Sequence, residues 1–415
     1  MTNQTAAPAA RKLSQTEFLA LMAMLFATIA FSTDAMLPAL PEIADELSPD
    51  NPNRVQLIVT SFMLGMGLGT LITGPISDSF GRKNTVLLFA VLYIGGALLA
   101  WMAPSLEMVL AARVIQGLGA AGPRIVGLAI VRDLYSGREM ARLTSFIFLV
   151  FSLFPAFAPL IGQEIIALGG WRSIFLAFVV FISASTLWLA IRQPETLPRE
   201  RRVPFRVGTI AAGVKTVLSN RTVRYTVAVQ VFIFAQLITI ISTTQPIFET
   251  VFDKADSFAV WFALIALCAG TSSLVNARFV MRVGMRGMVL RTLIVVSAFS
   301  ALVVVLTLFV PMGDTAHFAL YVVWVISIFY QMGLTMGNLN ALALEPMGRL
   351  AGTASSVIGA LSTATSVVVA VPIGLMLHGS VTPIIIGCLI CGLISLALML
   401  MMGERKPEDD AETAA

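Results

Sequence analysis

The sequence predicts an all-α polytopic membrane protein, with twelve transmembrane helices in two six-helix bundles and both termini on the cytoplasmic side. Three observations carry this. Only 12% of the residues are Asp, Glu, Lys or Arg, while 57% are hydrophobic, about half the roughly 25% charge of a soluble domain. Apolar runs of the roughly 20 residues needed to cross a bilayer recur from end to end. Basic residues fall almost entirely on alternate loops. A mean hydropathy of +0.89 leaves too little polar surface to cover a soluble fold, so that class is excluded.

The first span, 18–37, follows Arg11 and Lys12 much as a signal peptide would, but no small-x-small cleavage site follows Phe31-Ser32-Thr33-Asp34, so it reads as an uncleaved helix. The second, 55–76, contains Gly65-Met66-Gly67-Leu68-Gly69; with no preceding strand, this is a surface for close helix packing and not a dinucleotide loop. The third covers 84–103, and the fourth, 107–131, holds Arg113 and Arg124. The fifth, 143–168, carries Phe148, Phe151, Phe154 and Phe157 with Pro155 and Pro159, and the sixth covers 171–191. The longest polar interval follows, with Arg199-Glu200-Arg201-Arg202 inside it. The seventh span, 225–247, has Gln230, Phe234 and Gln236; the eighth and ninth cover 257–277 and 290–311. The tenth, 316–341, has Tyr330, Gln331, Asn338 and Asn340, and 353–377 and 382–402 complete the set. The division is thus a first bundle within 1–191, a cytoplasmic linker 192–224, a second bundle 225–402 and a tail 403–415.

Of 27 basic residues, only Arg54, Arg172 and Lys254 fall on the outer side, while Arg113 and Arg124 lie within the membrane. The positive-inside rule then puts both termini in the cytoplasm. Topology accounts for the basic pI, so no nucleic-acid partner is expected. Sliding the first half by 203 residues lays Gly81-Arg82-Lys83 on Gly284-Met285-Arg286, at the matching loop of each half. Two such halves related by an axis along the membrane normal are an architecture that alternating-access carriers use.

Other chemistry has little raw material. Cys268, Cys388 and Cys391 sit in apolar stretches as small hydrophobes, and the only histidines, His317 and His378, fall near loop edges, so no metal is expected. No Walker A sequence, Ser/His, paired-Asp or H-E-x-x-H arrangement is present, so ATP hydrolysis and intramembrane enzymology are not expected, nor is a cofactor.

Gly74-Pro75-Ile76-Ser77-Asp78-Ser79-Phe80-Gly81-Arg82-Lys83, between the second and third spans, resembles the signature G-x-x-x-D-x-x-G-R-K of the major facilitator superfamily. Arg113-Val114-Ile115-Gln116-Gly117 resembles the R-x-x-Q-G segment of its proton-linked drug exporters. Ser32-Thr33-Asp34-Ala35-Met36-Leu37-Pro38, Ala129-Ile130-Val131-Arg132-Asp133, Gly170-Trp171-Arg172 and Ala341-Leu342-Ala343-Leu344-Glu345-Pro346 resemble the Bcr/CflA subgroup of multidrug efflux transporters. Ala158-Pro159-Leu160-Ile161-Gly162-Gln163 departs from the G-P-x-x-G-G those exporters often show.

Asp34 lies near the outer end of the first span; a membrane-buried Asp is expensive when ionised, by about 2.5–3.5 kcal/mol on insertion scales, and this makes it the best proton carrier available. The alternative is an Asp that snorkels or caps at the interface. Arg113 enters the membrane from the same side, and the two can meet, either as a proton-coupling pair or as a static ion pair orienting two helices. The resemblance implies the coupling role. Arg124 either attracts an anionic or dipolar substrate group or snorkels. Gly74, Asp78, Gly81, Arg82 and Lys83 read as a conformational latch; in the family the acid approaches the start of the eleventh span, here Ala351-Gly352-Thr353-Ala354-Ser355-Ser356. Phe151, Phe154, Gln230, Phe234, Gln236, Tyr330, Gln331 and Asn338 are candidate substrate-lining residues, with packing as the alternative for the phenylalanines. The expectation is proton-coupled export of small lipophilic drugs or antimicrobials across a bacterial cytoplasmic membrane, by a monomer whose partners are substrate, protons and lipid. A sugar or metabolite exporter of the same superfamily, or a facilitator without proton coupling, is the alternative. A receptor or scaffold would require larger soluble parts than the linker.

Overall fold

The structure is a computed structural model that describes residues 13–377 and 379–403. Arg11, Lys12, His378 and residues 404–415 of the expected tail lie outside the described residues. Among the described residues the regular elements are helices: α1 Gln15–Asp34, α2 Leu40–Leu47, α3 Leu57–Phe80, α4 Arg82–Trp101, α5 Leu106–Leu134, α6 Gly137–Gly169, α7 Ser173–Arg192, α8 Val207–Ser219, α9 Arg221–Thr250, α10 Phe258–Gly270, α11 Ser272–Val283, α12 Met285–Phe309, α13 Asp314–Leu344, α14 Ala351–Gly374 and α15 Thr382–Met401, with short 3-10 turns between some of them. Among the described residues, twelve helical stretches are long and apolar enough to cross a membrane, as the hydropathy pattern predicts. The eighth is in two pieces, α10 and α11, separated at Thr271, whose hydroxyl bonds back to the Cys268 carbonyl at 2.7 Å. The linker is not wholly irregular, since it contains α8.

The chain divides into two compact units. The first takes the residues up to Ile210 together with Ile241–Leu267, and the second takes Ala211–Ile240 and the residues from Cys268 onward, so α9 begins in one and ends in the other. In the first unit, Phe18, Met22 and Phe26 of α1 pack with Val126 and Ile130 of α5, Ile147 of α6 and Leu189 of α7. In the second, Val229 and Ile233 of α9 pack with Val289 and Leu293 of α12, Leu339 of α13 and Met399 of α15.

Lipid gives helices no hydrophobic reason to associate, so close backbone approach must do more. Gly65 of α3 lies against the Val114 carbonyl of α5, and Gly117 of α5 lies against the Phe62 carbonyl of α3, so a Cβ at either position would collide with backbone. This is the packing use expected of the Gly65–Gly69 stretch. Loops at one end of the first unit are tied by charge: Glu46 of α2 accepts from the Trp171 indole at 2.7 Å and from Arg172 at 2.7 and 2.9 Å. Glu42 accepts from the Trp171 backbone N–H at 3.0 Å. The Gly170-Trp171-Arg172 segment therefore fastens the α6–α7 turn to α2.

Candidate functional site

The C-terminal end of α1 is polar inside an apolar helix. Ser32, Thr33 and Asp34 are 0%, 3% and 4% exposed. Hydroxyls so placed bond back to their own helix: Ser32 donates to Thr28 O at 2.6 Å and Thr33 to Ile29 O at 3.0 Å. The Ser32 hydroxyl also meets the Tyr93 hydroxyl of α4.

Arg113 of α5 is 0% exposed. Its guanidinium donates to the Ser32 backbone carbonyl at 2.9 Å, to Gln116 Oε1 at 2.7 Å and to the Ile58 carbonyl of α3 at 3.3 Å, and it lies 4.4 Å over the Phe62 ring. Neutral oxygens and a π face thus solvate this buried cation. The expected meeting with Asp34 does not occur: among the described residues no cation lies within ion-pair distance of that carboxylate. Residues two apart on a helix point about 200° apart, so an α1 that turns Ser32 towards Tyr93 turns Asp34 to another side. Arg124 sits eleven residues beyond Arg113, within about 20° of the same face of α5. It is partly buried and has no hydrogen bond or ion pair among the described residues.

At the other end of the first unit the residues expected to form a latch are brought together. Gly81, at φ +96°, a backbone conformation glycine adopts without strain, turns the chain from α3 into α4. Arg82 then donates from Nε to Asp133 of α5 at 3.0 Å, and from Nη1 to Ser77 at 2.7 Å and to Asp78. Asp133 is 20% and Asp78 52% exposed at the side chain, so the α5 acid is the better-shielded partner. Lys83 reaches the Ala190 carbonyl of α7. Gly74 completes the set within α3, where its carbonyl accepts from Ser77 at 3.0 Å. Glu195, which belongs to none of the sequence motifs, accepts from the backbone N–H groups of Arg82 at 2.8 Å and Lys83 at 3.2 Å. It stabilises the α4 N-terminus as an anion at the positive end of the helix dipole. The linker continues along the same surface, with Val203 N–H on the Asp78 carbonyl at 3.0 Å and Ser79 on Val203 O at 2.6 Å.

The candidate substrate residues fall in separate groups. Phe154 packs edge-on against Phe31 and Phe181, and Phe151 packs on the α1–α5–α6–α7 core, so both serve packing. In the second unit the amides pair with one another. Gln230 donates to Asn340 at 3.2 Å and accepts from Ser362 at 3.1 Å. Gln331 donates to Gln236, which donates to the Cys388 carbonyl at 2.7 Å. Asn338 donates to Asn276 at 2.8 Å. These bonds join α9, α11, α13, α14 and α15, the use of amides that lipid favours. Phe234 is partly buried on α9, and Tyr330 lines a cleft between α12 and α13. The Gln331 Oε1 is the part of this ladder left with no hydrogen-bond partner.

The profile of the Major Facilitator Superfamily matches residues 21–370. The chain belongs to that superfamily. Among relatives of this superfamily member, the "uncharacterized MFS-type transporter YdgK" of Bacillus subtilis is 30% identical over 347 residues, covering 82% of this chain and 84% of that one. A "bicyclomycin resistance protein homolog" of Haemophilus influenzae is 29% identical over 384 residues, 90% and 93% of the two chains. Multidrug resistance protein D of Escherichia coli is 28% identical over 180 residues, 43% and 45% of the two chains. The crystal structure of a D-xylose-proton symporter matches with TM-score 0.74 at 15% identity, over 95% of this chain and 98% of that one. The family is thus the one the two sequence motifs resemble, the named relatives bear out the Bcr/CflA resemblance, and the twelve-helix facilitator fold is shared. This superfamily member is a multi-pass membrane transporter of small molecules.

Two residues of its polar clusters escaped sequence reasoning. Tyr93 is one of five tyrosines and lies mid-span, and a phenol buried in lipid requires a partner; that was its signal. Glu195 had no signal beyond its charge: besides its local bonds to the Thr196 and Leu197 N–H groups, both at 3.0 Å, the partners that tie it to α4 are backbone groups more than a hundred residues away.

Proposed function

We propose that this superfamily member exports small lipophilic compounds in exchange for protons by alternating access, working as a monomer in a bacterial cytoplasmic membrane with both termini inside. Asp34 carries this reading: it is a carboxyl at the end of a membrane helix, 4% exposed, with no counter-ion among the described residues. Protonating it breaks no ion pair, whereas ionising it in hydrocarbon is costly, so a bound substrate that favours one protonation state exchanges directly with the proton. Arg113 positions the segment that carries Asp34 through the Ser32 carbonyl. Asp78, Arg82 and Asp133 form a latch that holds one conformation. The names of the relatives support drugs as the substrate class.

The test is substrate-dependent proton release from the purified protein over a panel of lipophilic antimicrobials and sugars. Release with the antimicrobials, absent in Asp34→Asn, supports the proposal. Release with sugars alone makes the protein a metabolite carrier, and transport without proton release makes it an uncoupled facilitator.

A further inference from the structure

A cleft of about 510 Å³ lies between α12 and α13 in the second unit. Its walls include Val295, Val296, Val323 and Ile326, and Val295 and Val323 are 66% and 53% exposed. In a membrane-spanning helix pair such exposure means contact with hydrocarbon, so an occupant enters this cleft from the bilayer. Arg291 also lines it. Arg291 stands about 9 Å along α12 from Met285 at 1.5 Å per residue, near one end of the span. It is exposed, and among the described residues it has neither a hydrogen bond nor an ion pair.

The stretch of sequence that contains it carries charge of one sign. From residue 257 to residue 313 the chain contains no Asp or Glu, while Arg278, Arg282, Arg286 and Arg291 all fall on α11 and α12. A guanidinium at headgroup depth, beside an open apolar trough, matches an amphiphile with a negative head and a hydrocarbon tail. Arginine's planar fork binds a phosphate with two parallel hydrogen bonds. We propose that this cleft is a binding site for one anionic phospholipid, its phosphate on Arg291 and an acyl chain along Val295, Val296, Val323 and Ile326. A zwitterionic lipid presents a phosphate too, but its own ammonium offsets the charge, so the site selects by net charge. The site does not depend on the direction of transport or on proton coupling.

Native mass spectrometry of the full-length protein, released from equal mixtures of phosphatidylglycerol and phosphatidylcholine, reads the head group of the one retained lipid. The expected preference for phosphatidylglycerol is about fivefold, the equivalent of ~1 kcal/mol for one basic residue at a charged lipid surface, and it weakens with salt. Arg291→Gln abolishes the preference and Arg291→Lys keeps part of it. Val295→Trp, which fills the trough, removes the retained lipid of either kind. Arg278→Gln, on the same end but outside the cleft, leaves the preference unchanged. Equal retention of both lipids by the wild type overturns the proposal, as does a preference that survives Arg291→Gln or falls equally with Arg278→Gln. Displacement of the lipid by lipophilic antimicrobials at stoichiometric concentration makes the cleft a substrate site and equally overturns it.

Discussion

Arg113 donates a 2.9 Å hydrogen bond to the backbone carbonyl of Ser32, two residues before Asp34. The cation of α5 and the acid of α1 are therefore joined through two residues of helix backbone and not by an ion pair. An α1 that shifts by a fraction of an ångström moves both the acceptor of Arg113 and the carboxyl proposed to carry the proton.

Asp34→Asn is expected to leave the protein folded and inserted, with a melting temperature equal to or above wild type, because it removes a charge that is costly in lipid. Drug-dependent proton release should fall to background. Release at the wild-type level in this variant would remove Asp34 from the coupling step.

Arg113→Lys keeps the charge and loses the fork that reaches Ser32, Gln116 and Ile58 together. Each buried bond to a charged group is worth about 1.5–3 kcal/mol, so a drop in thermal stability of several degrees and loss of transport are expected. Tyr93→Phe removes only a neutral hydroxyl contact, about 1 kcal/mol, and should retain most transport. Wild-type turnover with Lys at 113 would show that charge alone suffices.

Drug affinity should rise with pH. Asp34 loses its proton as pH rises, and a neutral or cationic drug that binds the ionised form competes with that proton, so binding tightens by up to tenfold per pH unit while the group titrates and then levels off. By reciprocity the drug expels the proton with the same coupling free energy, ~1.4 kcal/mol for each tenfold gain in affinity. A binding titration between about pH 5.5 and 9 should show this slope in wild type and none in Asp34→Asn. A flat wild-type profile would withdraw the antiport proposal and leave the fold untouched.

At the latch, Asp133→Asn should cost more stability than Asp78→Asn. The Asp78 side chain is half exposed and such pairs contribute ~0–1 kcal/mol, whereas Asp133 is shielded and also accepts from Thr196 at 2.9 Å. Glu195→Gln should loosen the linker by about 0.3–2 kcal/mol through the α4 terminus, read as faster proteolysis between residues 196 and 206. Asp78→Asn is expected to slow turnover more than it weakens binding, with distance measurements between spin labels on the two halves as the readout.

Gln236→Leu tests the amide ladder. If the amides are interhelical joints, the variant loses thermal stability, by about 1–3 kcal/mol for the orphaned Gln331 and Cys388 groups, and keeps its substrate range. A changed range at unchanged stability would return Gln236 to the binding site.

Hydropathy and charge act along the chain through transfer free energies, residue by residue, and for that reason the twelve spans, the paired motifs and the isolated Asp34, Arg113 and Arg124 were legible in the sequence alone. The Gly65-Met66-Gly67-Leu68-Gly69 stretch also announces close packing, since lipid offers helices little else to associate with. Partnership was not legible. Asp34 and Arg113 enter from the same side at similar depth, yet helix phase turns them apart, and depth can be counted from sequence while rotation about the helix axis is set by what packs on every side. The amides of α9 and α13 carried the same ambiguity: lipid demands that each find a donor or acceptor, but only tertiary structure decides whether that is a substrate or, as with Gln236 and Gln331, another amide one helix away.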